Sequence, residues 1–217
     1  MRRTAWVVFD DHGGDLDVAG LPTPDVVVAA DSGLRLAQRL GLHVDVLVGD
    51  LDSVGDHALA RGVLDGLDVE PHPTDKDATD LALALRSACE RTTTGDLLVV
   101  VGGSGGRPDH ALANVLALVD PGLASRRVTA RFGAADLCVV RGEVTFAWPV
   151  DATVSLLAVA GDAVGVTTTG LRYALDDEDL PAGTTRGVSN VVDDAEQTVS
   201  VREGCVVAVL PPPGAST

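Results

Sequence analysis

Lysine is almost missing from this chain of 217 residues: 15 of the 16 basic residues are Arg, and the exception is Lys76. With 32 acidic residues the formal net charge is −16. A nucleic-acid binder needs a basic face to displace counterions, so that class of partner is excluded as an expectation. Anionic lipid surfaces are excluded on the same ground. A metal-bridged polyphosphate is not, because a divalent cation neutralises carboxylates and phosphates together. Aromatics make up 3% of the chain, so the core has to be built from Val, Leu and Ala. The three cysteines, Cys89, Cys138 and Cys205, form no CxxC, which fits reduced thiols in a cytoplasmic protein. The apolar run after Arg2 and Arg3, Ala5 to Phe9, is too short for a signal peptide. No apolar run approaches the length of a membrane span, so a soluble, cytosolic protein is expected. Asparagine occurs twice, at Asn114 and Asn190, and tyrosine once, at Tyr173.

Up to about residue 141, strand-like and helix-like segments alternate. Ala5–Phe9, Val26–Ala30, Val44–Val48 and Leu97–Val101 are apolar runs of strand length. Leu34–Leu40, Thr79–Cys89 and Ala111–Val119 have helical spacing, the last with Pro108 where a first turn tolerates it. That alternation predicts a mostly parallel sheet covered on both faces. After about Gly142 the segments are short and rich in Val and Thr, separated by Gly and Asp. They predict a small antiparallel β-sandwich or barrel.

Four polar clusters follow the predicted strands, where open parallel sheets bind ligands. In Asp31-Ser32-Gly33, Asp31 either reaches a ligand or caps the next helix; taken alone, the cap is favoured. In Gly49-Asp50-Leu51-Asp52-Ser53, alternation puts Asp50 and Asp52 on one side of an extended chain. Two such carboxylates repel unless a cation lies between them, and Mg2+ suits carboxylate oxygens combined with phosphates and waters. In Thr74-Asp75-Lys76-Asp77-Ala78-Thr79-Asp80, a helix start accounts for one acid, with Asp77 as the cap. The remaining residues suggest Lys76 as a phosphate ligand and Asp80 as a third metal carboxylate. The fourth cluster runs from Gly102 to His110 and joins a buried strand to a helix, where amides and the helix start hold phosphate. It is neither a Walker A loop nor a dinucleotide fingerprint. Arg107 offers paired donors to phosphate oxygens. His110 reads as a residue that orients a neighbour.

Taken together, ADSGLRLAQRLGLHVDVLVGDLDS, DKDATDLALAL, GGSGGRPDHALANV, TTGLRYAL and GVSN resemble the thiamine pyrophosphokinase family. The resemblance covers most of the chain in order. It implies an α/β fold: a mostly parallel Rossmann-like catalytic domain at residues 1–141, then an antiparallel β-sandwich thiamine-binding domain at 142–217. It implies a homodimer and transfer of the diphosphate of ATP to the thiamine hydroxyl, releasing AMP, with Mg2+ as the metal. Carried over, Asp50, Asp52 and Asp80 are Mg2+ ligands and catalytic together with Lys76. Asp31, Lys76, Asp77, Gly105, Gly106, Arg107 and Asp109 belong to the ATP site. Ser189 and Asn190 belong to the thiamine pocket, with Tyr173 close by. Tyr173 and Trp148 are the candidates to stack on the cationic acceptor.

Two rival readings stand beside it. Residues 46–54 also resemble the first motif of haloacid-dehalogenase-like phosphatases, with Asp50 as covalent nucleophile and Asp52 as acid/base. In the other, the chain binds nucleotide or thiamine as a non-catalytic sensor.

Overall fold

The structure, a computed structural model, describes residues 2–9, 16–50, 66–73, 75, 77–103 and 106–212. They form two compact units: Met1–Ala117 with Ser125–Gly133, and Leu118–Ala124 with Ala134–Thr217.

The first unit is built on six parallel strands: β1 (Thr4–Phe9), β2 (Val26–Ala30), β3 (Val46–Gly49), β4 (Asp68–Pro71), β5 (Leu97–Gly102) and β6 (Arg127–Phe132). Among the described residues, three helices accompany them: α1 (Gly33–Arg39), α2 (Asp80–Glu90) and α3 (Pro108–Leu118). The expected α/β class is what is found. β1 and β5 are buried from their second residue to their last, as strands covered on both faces must be. The spatial order is β4-β3-β2-β1-β5-β6. The chain therefore runs outward from β1 to β4 and returns on the far side of β1, making a switch point between β1 and β5. Phe9 stands level with Ala30 on one side and Gly102 on the other, so these strands end along one line. The core beneath them is Trp6, Val8, Val27, Leu47, Val99 and Val101, with Leu34 and Leu36 of α1.

Two strands here escaped the sequence reading. β4 is an edge strand of Asp-Val-Glu-Pro with exposed ends, and it carries no apolar run. Pro71 closes it where no further partner needs its N–H. β6 alternates buried Val128, Ala130 and Phe132 with Arg127 and Arg131, so charged side chains break up its apolar signal.

The second unit contains β7 (Ala135–Phe146), β8 (Thr153–Leu157), β9 (Ala163–Thr169), β10 (Glu178–Leu180), β11 (Asn190–Val191) and β12 (Gln197–Leu210). Their pairings are antiparallel. β12 is the spine. Gln197–Val201 pairs with the end of β7, while Thr198–Ser200 pairs with β9. The register then shifts between Val201 and Val206, and the second half of β12 lies between the start of β7 and β8. One bent strand thus feeds two layers, which enclose Val154, Leu156, Val166, Leu180, Val192, Val199 and Val206. This is the expected sandwich.

Gln197 is fully buried at the start of β12. Its Oε1 accepts the backbone N–H of Trp148 at 2.8 Å, and its Nε2 donates to the Asp194 carbonyl. Trp148 stacks on Phe146 with ring centroids 3.9 Å apart. A Gln197→Leu change would fill the volume and leave the Trp148 N–H without its acceptor. The expected loss of stability is about 2 kcal/mol, read from the urea midpoint. An unchanged midpoint would show that solvent replaces the amide at no cost.

Candidate active site

A cleft of about 290 Å³ opens at the carboxyl ends of the parallel strands. Phe9 of β1, Ala30 of β2 and the residues that follow β2 and β3 line one side. The start of α2 and one face of α3 line the other. This is where a doubly wound sheet places its ligands.

Asp31 ends β2 with φ at 47°, a left-handed conformation that a residue with a Cβ adopts at a cost of about 1–3 kcal/mol. Its N–H still donates to the Val48 carbonyl at 2.9 Å, so the strand pairing reaches one residue further and then stops. The strain turns the chain into α1 while the Asp31 side chain lines the cleft. The favoured expectation of a helix cap is therefore corrected. The N-cap position of α1 is Ser32, whose side chain makes no capping hydrogen bond.

Asp50 follows β3 directly and is half-buried in the cleft. The last residue of the strand is Gly49, with φ at 148°. A Cβ on Gly49 would stand 3.2 Å from Asp80 Oδ1 and 3.3 Å from the Asp31 Cβ. Glycine thus leaves the narrow space that Asp31 and Asp80 flank. Asp80 opens α2, where its charge meets the positive end of the helix dipole, and its Oδ1 is shielded from solvent. The cap of α2 is Thr79, which accepts from the Ala82 N–H at 3.2 Å. Asp77, expected in that role, is exposed and does not line the cleft.

The glycine cluster divides at α3. Gly106, Arg107 and Asp109 are exposed and lie outside the cleft lining. Arg107 binds Asp109 through both of its carboxylate oxygens, at 3.2 and 2.6 Å. The Arg107 hydrogen bond brings the Asp109 carboxyl down to about 2, and the same bond raises the guanidinium. Both groups are solvent-exposed, so the pair fixes geometry more than stability. The next residue, His110, and Asn114, one turn further along, face the cleft. Sequence reasoning gave Asn114 no role. The signal was its rarity together with its four-residue spacing from His110.

Asp52, Lys76 and Gly105 lie outside the described residues. Among the described residues, no group of three or more His, Cys, Asp or Glu side chains is gathered to hold a metal ion. Asp31, Asp50 and Asp80 nevertheless share one cleft. Hard carboxylate oxygens in a site short of a closed cage suit Mg2+, which takes one or two carboxylates and completes its shell with phosphates and waters.

The second unit brings together Tyr173, Ser189 and Asn190. Tyr173 is 64% exposed, and Asn190 is buried and hydrogen-bonded to its backbone. Ser189 has φ at 59° and donates its N–H to Ser155 Oγ at 3.1 Å. Among the described residues, no helix is long and apolar enough to cross a membrane.

Comparison with known proteins finds two family models, one after the other along the chain. Residues 21–130 fit the family model described as thiamin pyrophosphokinase, catalytic domain. Residues 145–206 fit the model described as thiamin pyrophosphokinase, vitamin B1 binding domain. The thiamine pyrophosphokinase of Bacillus subtilis (strain 168) is 25% identical over 190 residues, covering 84% of this chain and 85% of the relative. The thiamin pyrophosphokinase structure from Geobacillus thermodenitrificans superposes with a TM-score of 0.79 at 25% identity, covering 99% of this chain and all of the other. The Candida albicans structure of the same name superposes with a TM-score of 0.78 at 13% identity, over 96% of this chain and 89% of the other. Neither the phosphatase nor the sensor reading is favoured by these likenesses. With both of its units matched in order, the chain belongs to the thiamin pyrophosphokinase family.

Proposed function

We propose that this chain transfers the diphosphate group of Mg-ATP to the hydroxyl of thiamine, giving thiamine diphosphate and AMP. The observation that carries the reading is the meeting of Asp31, Asp50 and Asp80 in one cleft at the carboxyl edge of the parallel sheet, in a chain of this family. In the reaction, the thiamine hydroxyl oxygen bonds to the β-phosphorus. The bond from that phosphorus to the oxygen bridging to the α-phosphate breaks, and AMP leaves with that oxygen. The hydroxyl proton passes to a carboxylate of the cleft.

Asp50, Asp52 and Asp80 would hold the Mg2+. Bound there, the ion supplies neutralising charge to the phosphate oxygens as the transfer proceeds. The chain's own part is positioning and electrostatics. Lys76 and Arg107 would bind phosphate oxygens, and the Gly105 and Gly106 amides would do the same from the backbone. Arg107 would exchange its Asp109 partner for phosphate, and Asp31, Asp77 and Asp109 would complete the ATP side. In the second unit, Tyr173 offers an exposed ring to the cationic acceptor, beside Ser189 and Asn190. A homodimer and a cytoplasmic location belong to the same reading, supported by family membership.

AMP release from Mg-ATP, measured with and without thiamine, tests the reaction. The expected outcome is AMP in step with thiamine diphosphate and its loss on chelation of the metal. ADP or free phosphate in place of AMP would overturn it.

Asp80→Asn and Asp52→Asn should each lower metal-dependent turnover about 10²–10³-fold, the scale of removing one charge-stabilising group. Thermal melts of both variants should stay close to that of the unmodified chain. Full turnover in either variant would remove that residue from the metal site.

A further inference from the structure

The GVSN segment reads as a piece of backbone engineering. The Gly187 carbonyl accepts the Leu156 N–H at 2.8 Å, and a Cβ on Gly187 would lie 2.1 Å from the Leu156 carbonyl oxygen. Only glycine permits that approach. Ser189 then turns through the left-handed region, and the chain enters β11 at Asn190, paired with Val154 of β8.

Opposite β11 runs the stretch from Leu171 to Leu175. Leu171 bridges Val192, and the Arg172 N–H donates to the Val191 carbonyl at 2.9 Å. The next rung of this short ladder is supplied by a side chain. Asn190 Oδ1 accepts the Tyr173 N–H at 3.0 Å, and Asn190 Nδ2 donates to the Tyr173 carbonyl at 2.8 Å. Oδ1 also accepts the Val191 N–H at 2.8 Å. Both acceptor positions of the amide oxygen are thereby filled, and Asn190 is only 5% exposed. The Leu175 end of the stretch is tied separately, its N–H to Thr168 Oγ1 and its carbonyl to the Thr168 N–H, each at 2.9 Å.

We infer that Asn190 is a positioning residue: its side-chain amide stands in for a peptide group and fixes the backbone of Tyr173, so that the exposed phenol ring is presented to the acceptor substrate. This rests on the function proposed above. It differs from the sequence expectation that Asn190 lies in the thiamine pocket as a binding residue, because the amide oxygen and one of its two N–H donors are engaged within the protein. Burial separates the two residues' tasks. Asn190 holds, and Tyr173 meets a planar cationic ring.

A double-mutant cycle on the full chain tests it, with thiamine and Mg-ATP as the probes. Tyr173→Ala should raise the KM for thiamine about tenfold, equivalent to ~1.4 kcal/mol, and leave that for ATP nearly unchanged. Asn190→Ala should raise it comparably in the unmodified chain. In the Tyr173→Ala background the same change should add less than about twofold, because the ring it positions is gone. Multiplying effects would mean that Asn190 touches the substrate itself, and would overturn the inference. So would an unchanged thiamine KM in Tyr173→Ala.

Amide hydrogen exchange at Tyr173 reads the clamp without any turnover. Protection should fall in Asn190→Ala, and retained protection would overturn the clamp. Should that variant fail to fold, Asn190→Asp keeps the accepted bonds and loses the donated one, and exchange at Tyr173 should still rise. A chain that makes no thiamine-dependent AMP would overturn the proposed function and the acceptor role with it; the exchange measurement would still decide the clamp.

Discussion

Like charge held together is the constraint on which the first unit depends. Asp31, Asp50 and Asp80 come from three separate stretches of chain and line one cleft. At a protein surface each close pair of such carboxylates costs on the order of 1–4 kcal/mol. Asp31 adds backbone strain at φ 47°. The compensation lies below, in β1, β2, β3 and β5, whose residues are nearly all buried. Level strand ends then bring the acids together whether or not they favour it. A cation and phosphates would offset such repulsion, so its cost and its proposed use meet in the same three residues.

Most of the first unit was legible because parallel strands buried on both faces leave unbroken apolar runs. Ala5–Phe9 and Leu97–Val101 needed no other signal. Legibility failed where a strand has one wet face or lies at an edge. β4 is held by its pairing to β3, through Val46 to Gly49, and by Arg91, which binds Asp68 and Glu70; neither is an apolar signal. The first half of β7 was missed for a related reason. Asp136 and Cys138 alternate with buried Leu137 and Val139, and Gly142 interrupts the strand, whereas pairing to β12 continues on both sides of it. Non-local pairing decides these elements, and a single sequence carries little record of it.

The site was legible at the level of clusters and blurred at the level of single residues. Helix starts explain why. Asp31, Asp77 and Thr79 all have cap chemistry, and only backbone geometry assigns the role. Thr79 has it because its ψ of 156° sets the side chain over the Ala82 N–H. Asp31 lacks it because its left-handed turn puts Ser32 in the cap position. Arg107 and Asp109 illustrate a different limit. Two residues apart and both exposed, they satisfy each other, which a pattern of ligand types cannot reveal. His110 and Asn114 show the reverse: their helical spacing puts them on one face, a signal that the sequence reading did not use.

The amide of Asn190 shows why residue type at such positions is narrow. Completing a ladder rung from a side chain needs a donor and an acceptor in one plane, one methylene from the backbone. Asp offers two acceptors and would set a lone pair against the Tyr173 carbonyl. Ser is short of a second atom, and Gln carries the amide one bond too far. Gln197 makes the complementary case within the same unit. There the reach is longer, from β12 to the Trp148 N–H, and the longer amide is the one present. In both, the side chain supplies peptide chemistry where the backbone has turned away. A sandwich of short strands can then hold an exposed aromatic ring steady without adding another strand.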